Sequence, residues 1–208
     1  EPNEYINIMV YPFTDSQILG ISTFPYSLKN FFLEGTQQVS ASWITLENLS
    51  FPYCISINSS YIYEQSTDER INQNDAAITL AHELGHYLGL RHVFSEGGTT
   101  SMCTDTDYCK DTPSYNRSEY EQWLNNLDKQ NKYQLKDLAK RYSCEKGEYE
   151  AHNIMDYAYC FYNEITLEQR KRIRHILNYS PLIPGPKESR IDTRGVQGRL
   201  NLPICIMK

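Results

Sequence analysis

The sequence predicts an α+β fold, and three observations carry that reading. Short strand-like runs fill the first third of the chain, a histidine-bearing helix follows them, and a long polar stretch ends in a second, well-capped helix. Residues 5–13 (YINIMVYPF) mix Ile, Val and Tyr with polar residues and read as a strand. Residues 19–24 (LGISTF) read as a second strand, stopped by Pro25. Residues 26–52 fit a long loop with a short helix. Residues 53–63 (YCISINSSYIY) alternate and read as a third strand. A helix is expected from about 75 to 88, capped by Asn74 or Asp75. Residues 95–113 form a Gly/Thr/Ser/Asp-rich loop, and 115–141 are rich in helix formers. The final helix starts at Thr166, where Gln169 completes a capping box, and Pro181 ends it. The tail from Pro184 reads as irregular.

At 208 residues the chain fits one domain divided by a cleft, with an N-terminal lobe over 1–89 and a C-terminal lobe over 90–208. Its net charge of -6 argues against a nucleic-acid partner, because phosphate binding requires a basic face. No run of eighteen apolar residues is present to cross a membrane as a helix, and the first residues do not read as a leader peptide. The 17 tyrosines suit a surface that contacts peptide or sugar. The six cysteines, Cys54, Cys103, Cys109, Cys144, Cys160 and Cys205, form no CxxC pair; an even count favours disulfides and an oxidising compartment.

Residues 82–92 read HELGHYLGLRH. His82 and His86 are four apart, so their imidazoles leave one helix face a turn apart and can share a zinc ion. Glu83 sits about 100° round the helix, within reach of a reacting water without being a ligand. A third ligand at His92 requires the chain to leave the helix and turn back. Gly89 stands where that turn is needed, and glycine accepts positive φ. A His₃ set leaves a fourth zinc position open, the mark of a catalytic site. Three histidines, a glutamate and a glycine at these offsets arise by chance on the order of once in 10⁵ chains of this kind.

This extended motif, HExxHxxGxxH, resembles that of the metzincin metallopeptidases. Asn153-Ile154-Met155-Asp156-Tyr157 is similar to the Met-turn beneath their zinc. Leu19-Gly20 with Phe24-Pro25, the Thr79-Leu80-Ala81 lead-in and Asp111-Thr112-Pro113 resemble one subgroup, the pappalysins. The resemblance implies a metzincin-like zincin: a mixed twisted sheet, an active-site helix, and a smaller irregular C-terminal lobe ending in a helix. It departs in one respect, since such domains begin with a strand, a helix and a strand that have no counterpart before residue 5.

The resemblance also implies a function. The chain is expected to be a secreted, cell-surface or periplasmic zinc endopeptidase acting on protein or peptide as a monomer, with zinc-activated water and Glu83 as general base. Met155 would lie under the histidines, and Tyr157 would ligate zinc loosely or stabilise the oxyanion. Residues 19–24 would be the cleft edge that binds substrate by strand addition. The pairings implied are Cys103–Cys144 and Cys109–Cys160, leaving Cys54–Cys205. Asp105, Asp107 and Asp111 alternate in a loop and are candidate calcium ligands, although a solvated acidic loop is the plainer reading. His152 and His175 are read as ordinary residues. The competing reading is a catalytically idle relative that binds peptide or glycan in the same cleft; another is hydrolysis of a non-protein amide.

Overall fold

A computed structural model describes residues 4–40, 53–63, 75–95, 107–127, 131–145, 147–157, 159–187 and 204–207. Its main sheet has four strands. β1 (Ile8–Tyr11) runs parallel to β5 (Ile55–Asn58), which pairs on its other side with antiparallel β2 (Gly20–Thr23). The fourth strand, β8 (Ile204–Met207), lies antiparallel on the outer side of β2. The order is therefore β1-β5-β2-β8, a mixed sheet as expected. Two elements in the stretch read as a loop, β3 (Tyr26–Leu28) and β4 (Gln37–Val39), form a separate parallel pair.

Both faces of β5 are covered, and Ile55, Ser56, Ile57 and Asn58 are all buried. The helix α1 (Ala76–Tyr87) packs against β2 and β5. The largest cluster of buried apolar side chains joins Tyr53, Ile55 and Ile57 to Tyr87 of α1 and Ile176 of α4 (Leu167–Tyr179). β5 is shorter than the third strand expected from sequence. Asn58 ends it, because its carboxamide oxygen accepts from Ser60 N and Phe13 N while Nδ2 donates to Ile18 O. A 3-10 turn over Ser59–Tyr61 follows.

The second half divides more finely than its composition suggested. Residues 115–141 break into α2 (Arg117–Asn125), capped by Asn116, and one short turn of helix, α3 (Leu135–Leu138). Lys140–Ser143 then forms β6, hairpin-paired with β7 (Gly147–Glu150). At α4 the Thr166–Gln169 capping box is formed on both sides.

Two expectations need correction. The tail is not irregular throughout, since β8 joins the sheet. As a result β2 is not an open edge, because β8 bonds to the side that substrate was expected to use. Short strands of this kind carry little periodic signal, and their pairing partners supply most of their stability.

Candidate metal centre

Two of the three histidines are aimed by a backbone carbonyl. His82 Nδ1 stands 2.8 Å from Ile154 O, and His86 Nδ1 stands 2.8 Å from Leu90 O. A carbonyl only accepts, so in both rings Nδ1 carries the proton and Nε2 presents a lone pair. His86 Nε2 and His92 Nε2 are 3.0 Å apart. The ligand atoms of His82, His86 and His92 all lie within 4.8 Å of one another, the one such metal-competent group among the described residues. Tetrahedral zinc with Zn–N near 2.0–2.1 Å separates its ligand nitrogens by about 3.3 Å, so the spacing fits. His82 Nε2 is buried and has no hydrogen-bond partner in the protein, as expected of an atom meant for a cation. Burial holds the His82 imidazole down at about 4. Burial and the neighbouring imidazoles hold His86 well below the usual histidine range. His92 is held there by burial, His82 and two arginines. All three are therefore neutral, the form that binds metal.

The turn that delivers His92 is built as the sequence required. Gly89 has φ of +88°. Its N–H donates to His86 O, and Leu90 N donates to Gly85 O, the double closure of a Schellman motif. A side chain at Gly89 would meet Ile176 Cγ1 at 2.7 Å, which excludes any larger residue. Arg172 of α4 fixes this turn from outside: Nε and Nη2 donate to Gly89 O, and Nη1 donates to Glu34 O. Phe94 stacks on His92 with ring centroids 4.7 Å apart and backs the third histidine.

Below the histidines the Met-turn is closed by Asn153. Its Oδ1 accepts from Met155 N, and its backbone oxygen accepts from Asp156 N. Met155 is fully buried among Leu90 and Val93. A side chain at Gly85 would collide with Met155 Sδ, so the glycine inside the helix is what lets Met155 reach the floor of the site. The same turn supplies Ile154 O to His82, which links the base of the site to the orientation of a ligand.

Tyr157 follows at once. Its ring centroid is 4.5 Å from that of His92 and 5.4 Å from that of His82, and Arg117 lies over its face at 4.6 Å. Its position is held by a buried ion pair that sequence reasoning missed. Arg141 and Asp156 are both buried, with Nε 3.6 Å from Oδ2. Arg141 Nη2 donates to Tyr157 O and Tyr159 O, and Nη1 donates to Leu138 O. Asp156 Oδ1 accepts from Tyr115 hydroxyl and Tyr157 N. Burial pushes the Asp156 carboxyl up, and Arg141 pulls it back. The local sequence at 138–143 (LAKRYS) carries no signal that this arginine is buried, because Tyr115 and Tyr120, whose rings face it, come from another segment.

Glu83 follows His82 on α1 and is buried. It lies against Gly20 of β2, where an added Cβ would stand 2.6 Å from Glu83 Cγ.

The candidate calcium ligands do not converge. Asp105 is outside the described residues. Asp107 accepts from Cys109 N and Thr112 hydroxyl, while Asp111 accepts from Glu168 N and caps α4. Asp107 thus organises its own turn, and Asp111 ties that loop to the first turn of α4. Cys144 is disulfide-bonded, and its expected partner Cys103 is outside the described residues. Cys54, Cys109, Cys160 and Cys205 carry thiols, so the other two expected pairings are not formed. Cys54 precedes β5 and Cys205 lies in β8, with β2 between them and a register that sets them on opposite faces. Two strand spacings of about 4.8 Å exceed the reach of a disulfide. Cys109 Sγ is turned to Asp107 O, and Cys160 Sγ to Ala151 O and Asn153 O. His152 and His175 are ordinary: one meets Asn163, the other Phe31 O.

An extracellular metalloprotease of Arthroderma benhamiae is 37% identical over 108 residues, covering 50% of this chain and 32% of that protein. One from Arthroderma otae is 32% identical over 171 residues, covering 81% of this chain and 49% of that protein. The chain thus spans between a third and a half of the length of these curated relatives. Among solved structures, mature mirolysin of Tannerella forsythia in complex with a cleaved peptide matches with a TM-score of 0.46 and 21% identity, over 83% of this chain and 52% of that one. The family model for peptidase M43, described as pregnancy-associated plasma protein-A, matches residues 43–178, well over half the chain. With the three-histidine centre, Gly89 and Met155 in place, the chain belongs to peptidase family M43, the pappalysins.

Proposed function

We propose that the chain is the catalytic unit of a secreted zinc-dependent endopeptidase. The observation that carries this is the convergence of three imidazoles, two of them with Nδ1 committed to a backbone carbonyl and borne on the helix that also carries the buried Glu83. His82, His86 and His92 would hold the ion. When bound, zinc supplies a Lewis acid that acidifies water and polarises a carbonyl. Glu83 takes the proton of the attacking water and returns it to the leaving amine. Tyr157, edge-on to His92, donates its hydroxyl to the oxygen on which negative charge develops. Met155 and the Asn153 turn hold the floor rigid, so the ligands need no rearrangement as the reaction proceeds. Secretion fits both the extracellular relatives and the bonded Cys144.

The test is a casein digest with the purified chain, with zinc content measured in parallel. Cleavage that a chelator abolishes and zinc restores is the expected result. A zinc-loaded chain that binds casein peptides but leaves them intact would favour the idle peptide-binding reading instead.

A further inference from the structure

We propose that the C-terminal strand β8 is a built-in competitor for a peptide-docking edge on β2. The proposal rests on reading the site as peptide-cleaving. β2 has two sides, and β5 takes one of them. The other presents a row of N–H and C=O groups beside the metal-binding helix, because Gly20 of β2 lies against Glu83. An extended peptide adds to such an edge through main-chain hydrogen bonds that are tolerant of sequence. β8 makes that addition from within the chain. Its register runs from Thr23↔Ile204 to Gly20↔Met207, and it also touches α1.

The direction matters. Gly20 is the β2 residue level with Glu83, and it pairs with Met207. β8 therefore runs with its C-terminal end towards the catalytic carboxylate, as an extended peptide would run along the edge on its way to the metal. β2 has one outer set of backbone groups, so β8 and a second peptide exclude each other. A strand on the same chain competes intramolecularly, so a free peptide has to outcompete it to reach the edge. Release of β8 is then a condition for cleavage, and the tail sets the apparent substrate affinity.

Three forms test this: the full chain, a chain ending at Asn201, and a full-length Ser22→Cys variant. Ser22 and Cys205 are directly opposed across the strand pair, so the new thiol can be oxidised onto Cys205 and lock β8 in place. Truncation should lower KM for a casein-derived peptide by at least about fivefold and leave kcat within twofold, as expected when a competitor is removed. A fluorescent peptide of residues 201–208 should bind the truncated chain and compete with substrate. The oxidised Ser22→Cys chain should be inactive until a phosphine reductant restores it, with the parent chain given the same reductant as the control for loss of the Cys144 disulfide. If truncation destabilises the sheet, the locked variant carries the test alone. An oxidised, crosslinked variant that cleaves at the parental rate overturns the proposal, as does a stable truncated chain with unchanged KM that ignores the tail peptide. If no form cleaves anything, peptide binding to the truncated chain but not to the locked one upholds the competition, and only the catalytic reading fails.

Discussion

Gly20 of β2 and Glu83 of α1 are in such close contact that any side chain on Gly20 would displace the carboxylate. An added Cβ would stand 2.6 Å from Glu83 Cγ, 2.8 Å from Oε1 and 2.9 Å from Thr79 Cγ2. Gly20→Ala should therefore move Glu83, the proposed general base, while leaving the histidines alone. A shift of about 1 Å can cost on the order of 10²-fold in rate, and overpacking about 1–3 kcal/mol. Turnover should fall at least tenfold with zinc content unchanged. Steady-state kinetics with metal analysis on the same preparation checks this, and full activity would mean that Glu83 is not placed by β2.

Tyr157 can be tested separately from its surroundings. Tyr157→Phe keeps the ring that packs against His92 and Phe94 and removes only the hydroxyl. Losing an oxyanion donor lowers the rate by about 10²–10³, so kcat should drop by that factor with KM and bound zinc unaltered. A purely structural role predicts near-normal kcat and a stability loss of about 1 kcal/mol.

The Arg141–Asp156 pair should be essential to folding as a pair. Arg141→Met leaves Asp156 charged and buried, which costs about 3–5 kcal/mol, or a melting point lower by roughly 10 °C for a chain of this size. Adding Asp156→Asn to it should recover part of that loss, since the stranded charge is then gone. Thermal melts of the single and double variants decide the matter; a double variant less stable than Arg141→Met would contradict it.

Much of the site was legible in the sequence because its geometry is local. The i, i+4 histidines, Gly89 at positive φ and the Asn153–Tyr157 turn each follow from constraints within a few residues. The supporting partners were not legible, because they come from distant segments. Arg172 is 83 residues from Gly89, Arg141 is 16 from Tyr157, and Tyr115 is 41 from Asp156. A buried arginine resembles a surface one until its carbonyl partners are in place. The β6–β7 hairpin and β8 were missed for a similar reason, since short strands acquire their identity from what they pair with. The cysteine pairings implied by family resemblance failed where β2 intervenes between Cys54 and Cys205.

Arg172 offers a test of this remote support. Arg172→Met removes the donors to Gly89 O and Glu34 O and loosens the turn that carries His92. Groups that orient metal ligands typically change metal affinity by about 10–100-fold. Zinc affinity measured against a competing chelator should weaken by that range, whereas an unchanged affinity would show that the Schellman turn holds His92 without help.

The most direct test of zinc-dependent peptide hydrolysis is a single comparison of Glu83→Ala with the parent chain, reading zinc per chain and casein turnover together. Glu83 lies beside the ligands without being one of the three nitrogen donors. The variant should retain one zinc per chain and lose turnover by about 10²–10⁴, the contribution of a general base. A variant that sheds its zinc, or that cleaves casein at the parental rate, would contradict the assignment of Glu83 as the proton carrier.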